Sequence, residues 1–110
     1  MTMANFEVED HTEEVLDSIE RAKARALEKI GLVAEGYAKR LCPVDTGRLR
    51  NSITHTTDDE AAYIGTNVEY AVYVEMGTVN TPAQPYLKPA ATDHMEKYRS
   101  ILKSELQGGE

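Results

Sequence analysis

Residues 12–41, TEEVLDSIERAKARALEKIGLVAEGYAKRL, decide the fold. Within them Val15, Ile19, Ala22, Ala26, Ile30, Val33, Tyr37 and Leu41 recur every three or four positions, flanked by Leu16, Leu27, Ala34 and Ala38. That period is one face of an amphipathic helix. Asp10 or Thr12 is placed to cap its first turn. Pro43 stops it, because the residue before a proline is pushed out of the helical region. At about 1.5 Å per residue the rod is roughly 45 Å long, more than a small domain needs. Gly31 and Gly36 weaken its middle by about 1 kcal/mol each relative to alanine and predict a bend.

Downstream the signals shorten. Asp45-Thr46-Gly47 is turn chemistry, and Arg48 to Ser52 suits one helical turn. Ile53 to Thr57 is β-branched, Asp58-Asp59-Glu60 is a polar turn, and Ala61 to Thr66 reads as the return strand of a hairpin. Residues 68–76 fit two patterns. Alternation groups Tyr70, Val72, Val74 and Met76 on a strand. Helical spacing groups Tyr70, Ala71 and Val74, with Asn67 as cap and Gly77 as stop, and a short helix is the preferred reading. Thr78, Val79, Asn80, Thr81, Pro82, Ala83, Gln84 and Pro85 form a loop. Pro89 suits the first turn of a last helix whose stripe is Leu87, Ala91, Met95, Tyr98, Leu102 and Leu106. The expected fold is α+β: a long N-terminal helix and a C-terminal helix packed on a small antiparallel sheet. Residues 12–107 form its single domain, preceded by a flexible acidic arm, 1–11.

Composition narrows the function. With 110 residues, 41% hydrophobic and 28% charged, the chain has room for one modest core. Six tyrosines and no tryptophan suit surfaces that are apolar on one side and wet on the other. No apolar run spans a membrane, and residues 1–14 lack the order of a signal peptide, so folding in a cytoplasm is expected. The net charge of -7 is unevenly spread. Residues 1–20 alone carry -7, residues 21–50 carry +5, and residues 51–80 carry -5. This layout opposes wrapping nucleic acid and lets copies meet acidic end to basic middle. Part of it simply suits a helix dipole.

Catalytic chemistry finds little to use. His11, His55 and His94 share no metal-ligand spacing and read as surface residues. Cys42, the only cysteine, precedes a proline at a helix C-terminus and is expected to be inert. Asp45 and Glu75 form a conceivable acid–base pair for a small hydrolase. Capping, and pairing with Arg48 or Arg50, is the better reading of both. No catalytic, cofactor-binding or metal residue is assigned.

Three segments say more together: PVDTGRLRNSI at 43–53, VEYAVYVEMGT at 68–78 and PYLKPA at 85–90. In this order they resemble the tail-component family of long-tailed bacteriophages, also described as head–tail joining, tail-completion or neck proteins. The matching positions are Asp45, Thr46, Gly47, Leu49, Ser52, Tyr70, Ala71, Tyr73, Glu75, Gly77, Thr78, Pro85, Leu87, Pro89 and Ala90. Met76 stands where an aromatic is usual and Tyr86 where Phe is usual. The resemblance implies a structural virion protein of a phage or prophage, without enzymatic activity or cofactor, assembled in the host cytoplasm. It further implies rings, commonly six-fold, that join the connector to tail-tube or tail-terminator proteins, with DNA only passing through the lumen. The alternative is a non-virion adaptor or regulatory binding module of prophage origin. Residues 78–85 are the candidate assembly loop.

Overall fold

A computed structural model describes residues 2–43 and 47–108, with side chains from residue 13 onward. Asp45 and Thr46 therefore lie outside the described residues. Helix α1 (Thr2–Leu41) is followed by α2 (Arg48–Ser52), β1 (Thr54–Thr57), β2 (Ala62–Gly65), α3 (Ala71–Met76), α4 (Leu87–Thr92) and α5 (Met95–Gly108). The fold is α+β, with a long N-terminal helix, C-terminal helices and a two-stranded antiparallel sheet.

α1 starts ten residues before the predicted onset. Neither Asp10 nor Thr12 caps it, and helix continues through the stretch read as an arm. Residues 2–11 contain no glycine or proline to interrupt a helix once it has formed. The rod dominates the molecule, whose extents are 74 × 23 × 22 Å. Its radius of gyration is 19.5 Å, against about 13 Å for a compact chain of this size.

The hairpin is built locally. Asp58 Oδ1 accepts from the Glu60 and Ala61 amides, each at 2.8 Å, and Asp58 N–H donates to the Ala61 carbonyl at 3.0 Å. Oδ2 accepts from the Tyr63 hydroxyl at 2.9 Å. These donors, the Glu60 amide foremost, hold the Asp58 carboxyl below its usual range. The turn fixes the register Thr54↔Gly65, His55↔Ile64, Thr56↔Tyr63 and Thr57↔Ala62.

Strands, α4 and α5 all pack on α1, whose buried residues begin at Ala22. The buried face there runs through Ala22, Ala26, Ala34, Ala38 and Cys42. The predicted stripe is displaced at its end, since Val33 and Tyr37 are only half-buried and Leu41 is exposed. Small side chains let partner backbones approach closely, which the larger residues of the predicted stripe would prevent. The core is Ala38, Cys42, Leu49, Ile53, Val68, Ala71, Tyr86 and Ala90. Cys42 donates its thiol to the Pro43 carbonyl at 3.4 Å, and burial raises its pKa.

The last stripe divides into two helices. Asp93 ends α4, where the Thr92 hydroxyl donates back to the Lys88 carbonyl at 2.8 Å. The break lets the His94 ring stack on Tyr37, with centroids 3.6 Å apart and planes at 9°. Glu105 of α5 reaches Arg25 at 3.1 Å and also Lys29, which ties α5 to α1.

Candidate assembly surface

The three sequence segments meet in space. Gly47 precedes α2 at φ 85°, the left-handed region that glycine adopts without strain, and its carbonyl accepts from the Asn51 amide at 2.9 Å. Leu49 is buried in the core. The Ser52 hydroxyl donates to the Leu49 carbonyl at 2.7 Å and contacts Thr66 Oγ1, which accepts from the Val68 amide at 3.1 Å. The first segment is thus tied to the start of the second.

Glu75 then ties the second segment to the third. Its Oε1 accepts from the Tyr86 and Leu87 amides at 3.0 and 2.8 Å, and its Oε2 from the Lys88 amide at 3.1 Å. These amides open α4, which has no side-chain cap of its own. Burial alone would raise the Glu75 pKa, but the three amides outweigh it and the net shift is downward. A carboxylate held this way is a cap, not a catalytic acid. For Glu75 the expected pairing with Arg48 or Arg50 is corrected, while the same expectation for Asp45 lies outside the described residues: Arg48 forms two bonds of 3.2 Å to Glu69 and lies over the Tyr70 ring at 5.4 Å.

Tyr86 is the anchor, fully buried, its hydroxyl donating to the Ala71 carbonyl at 3.4 Å. Burial above all pushes its pKa up to about 12. The Tyr98 hydroxyl donates to the carbonyl of Ala90, itself buried, while Leu87 packs against the core and Pro89 sits half-buried in α4. α3 forms as preferred, but Tyr70 rather than Asn67 stands at its N-cap. Gly77 ends it at φ 78°, and a Cβ there would lie 2.7 Å from Ala83 N. Residues 78–85 are exposed, closed by a Thr78 N–H to Thr81 carbonyl bond of 2.8 Å and moored by the Gln84 amide to the Val74 carbonyl at 2.8 Å.

Sequence reasoning missed one cluster. His55 reads as a surface histidine, yet it is wedged between two carboxylates of α1: Nδ1 is 2.7 Å from Glu35 and Nε2 is 2.7 Å from Glu28. Gly31 is the seat, since a Cβ there would lie 2.7 Å from the imidazole. The Glu35 bond first, then Glu28, raises the His55 pKa, while the His55 bond first, then Lys39, lowers that of Glu35. The available signal was two glutamates seven residues apart with a glycine between them, a helical notch of charge. The His11 side chain lies outside those described. Among the described residues no group of histidine, cysteine and carboxylates is arranged to hold a metal.

Part of the exposed surface is apolar. Val15, Leu16, Ile19, Val72, Tyr73 and Met76 are exposed. An open cavity of about 590 Å³ lies between α2, α3 and the 78–85 loop, lined by Leu49, Tyr70, Tyr73, Val74, Arg48 and Pro82 among others. No described helix is long and apolar enough to cross a membrane.

The family model described as "Bacteriophage HK97-gp10, putative tail-component" matches residues 6–77, from α1 through the Gly77 stop and short of the third segment. No curated protein and no solved structure gives a significant match. With well over half of its length matched, the chain belongs to the HK97 gp10-like family of phage tail components.

Proposed function

We propose that the chain assembles with copies of itself into a ring at the head–tail junction of a long-tailed phage or prophage particle, joining connector to tail. Family membership supports a structural part in the virion tail. The observation that carries the finer reading is the overhang of α1, whose Val15, Leu16 and Ile19 are uncovered on a molecule 74 Å long. Apolar side chains gathered on a projecting helix face are a partner-binding feature rather than a solvent-adapted one. The chemistry of the three segments is architectural in this reading: Glu75, Gly77 and Tyr86 fix the subunit's shape, and shape is what a ring requires. The neighbours are connector or neck proteins on one side and tail-tube or tail-terminator proteins on the other.

Mass measurement across concentration, alone and with neck and tail proteins, tests this reading. The expected result is a monomer or weak oligomer alone and a closed ring with its partner, located at the neck in micrographs of labelled virions. A monomer that binds one partner without ever forming a ring would instead support the adaptor alternative.

A further inference from the structure

The first turns of α1 with described side chains stand clear of the domain. Residues 13–20 are all exposed, with Val15, Leu16 and Ile19 at 54%, 56% and 45%. Those three sit on one helix face, at relative positions i, i+1 and i+4. Glu13, Glu14, Asp17 and Glu20 surround them, and no basic residue falls in the stretch. At the opposite end of α1 lies the open cavity of about 590 Å³, its wall apolar through Leu49, Tyr70, Tyr73 and Val74. The sequence that leads into it is basic. Residues 39–50 hold Lys39, Arg40, Arg48 and Arg50 against a single acid, Asp45. Arg48 lines the cavity and is bonded to Glu69, and neither Arg40 nor Arg50 has a carboxylate partner among the described residues.

Charge selects the occupant. Two overhangs side by side would bring together two segments of -4 each, which opposes a symmetric pairing. An overhang laid against the basic end meets opposite charge and an apolar hollow at once. We propose that the overhang of one copy, residues 13–20, docks in the cavity between α2, α3 and the 78–85 loop of the next copy. Val15, Leu16 and Ile19 enter the hollow, and Asp17 and Glu20 face Arg40 and Arg50. Donor and acceptor are different surfaces, separated by roughly 40 Å along α1. The contact is therefore head-to-tail, the kind that closes into a ring or runs on as a filament. The inference rests on the ring reading above and supplies its interface.

Directed cross-linking tests it. Chains carrying Ile19→Cys and Tyr73→Cys, each with Cys42→Ser, are mixed and oxidised while wild-type mass is followed under the same conditions, alone and with the neck partner. The expected product is the mixed 19–73 disulfide, and a chain carrying both cysteines gives a ladder of multimers. A dominant 19–19 disulfide, or a wild-type ring without any 19–73 product, overturns the interface and leaves the ring reading standing. A wild type that never exceeds a monomer overturns both. In the otherwise wild-type chain, Glu13→Lys, Asp17→Lys and Glu20→Lys together weaken self-association at least about tenfold. Adding Arg40→Glu and Arg50→Glu to that chain restores it, which a misfolded variant cannot do. Failure of the restoration counts against the pairing of these two surfaces.

Discussion

The two ends of α1 obey the same helical period and meet opposite fates. Between Ala22 and Cys42 the inward face is built from small residues, and the hairpin, α4 and α5 close over it. Between Glu13 and Ile19 the same rod carries larger aliphatic side chains, and they are left exposed. Side-chain size separates the two. Small residues suit close backbone approach within one subunit, whereas Val15, Leu16 and Ile19 are knobs that need a separate hole. An amphipathic pattern therefore marks a face that will be buried, without saying by whom.

The contrast is broken most severely at the packed end. Tyr86→Ala empties a fully buried site and removes the hydroxyl bond to the Ala71 carbonyl. A loss of roughly 3–5 kcal/mol is expected, enough to unfold a domain of modest stability. Urea denaturation measures it. A loss below about 1 kcal/mol would show that the three segments are not organised around this ring.

Next come the two glycines that shape the cavity. Gly77→Val places a side chain at φ 78° and against Ala83 N, 2.7 Å from the new Cβ, so above about 2 kcal/mol is expected. Gly47→Val suffers the backbone strain of φ 85° with only ordinary contact to Asn51 at 3.5 Å, so about 1–3 kcal/mol is expected. Cys42→Ser keeps a buried residue of similar size beside the Pro43 carbonyl and is expected to cost less than either. Melting temperatures in the order Gly77→Val, Gly47→Val, Cys42→Ser, lowest first, check the ranking.

A smaller effect follows pH. The His55 pKa is raised, so its stabilisation is complete below the ordinary histidine value and fades as pH rises through the raised one. Glu35, which also holds Lys39 at 2.9 Å, is lowered, so its stabilisation is complete above the ordinary carboxylate value and fades as pH falls through the lowered one. The two contributions coexist between about pH 4.5 and 6.5. His55→Gln is expected to cost about 1–2 kcal/mol near pH 5.5 and distinctly less near pH 9. Equal losses at both pH values would mean that the hairpin is held to α1 by packing alone.

Legibility followed the range of the interactions. The stop at Pro43, the Asp58 turn and the helical turn after Gly47 depend on neighbours a few residues away, and local sequence announces them. The early start of α1 has no marker, because residues 2–11 hold neither a breaker nor a cap whose role could not equally fall further on. The break after Thr92 was hidden by a stripe that runs unbroken from Leu87 to Leu106, and it becomes intelligible only with the Tyr37–His94 stack. Resemblance singled out Glu75 without its partners. Its work as the cap of α4 depends on bringing together segments eleven residues apart, which neither segment states alone. The His55 wedge was illegible for the same reason, its two carboxylates being 20 and 27 residues away.

The smallest effect on stability is expected at the free end of α1, and there smallness is the informative outcome. Ile19→Ser removes an aliphatic side chain that is 45% exposed and lies outside the buried core. Such a site contributes little to folding, so the free subunit should change by no more than about 0.5 kcal/mol. The modest decrease in helix propensity from isoleucine to serine falls within that range. At Ala26→Ser, about two turns further along and fully buried, the added hydroxyl enters the packed face of α1. Burying a hydroxyl without a new partner costs about 1–3 kcal/mol. Paired urea titrations of the two variants, at a concentration where the wild type is monomeric, give the ratio directly. Equal destabilisation would mean that the first turns of α1 fold back on the domain in solution, and the division between a packed end and a free end would not hold.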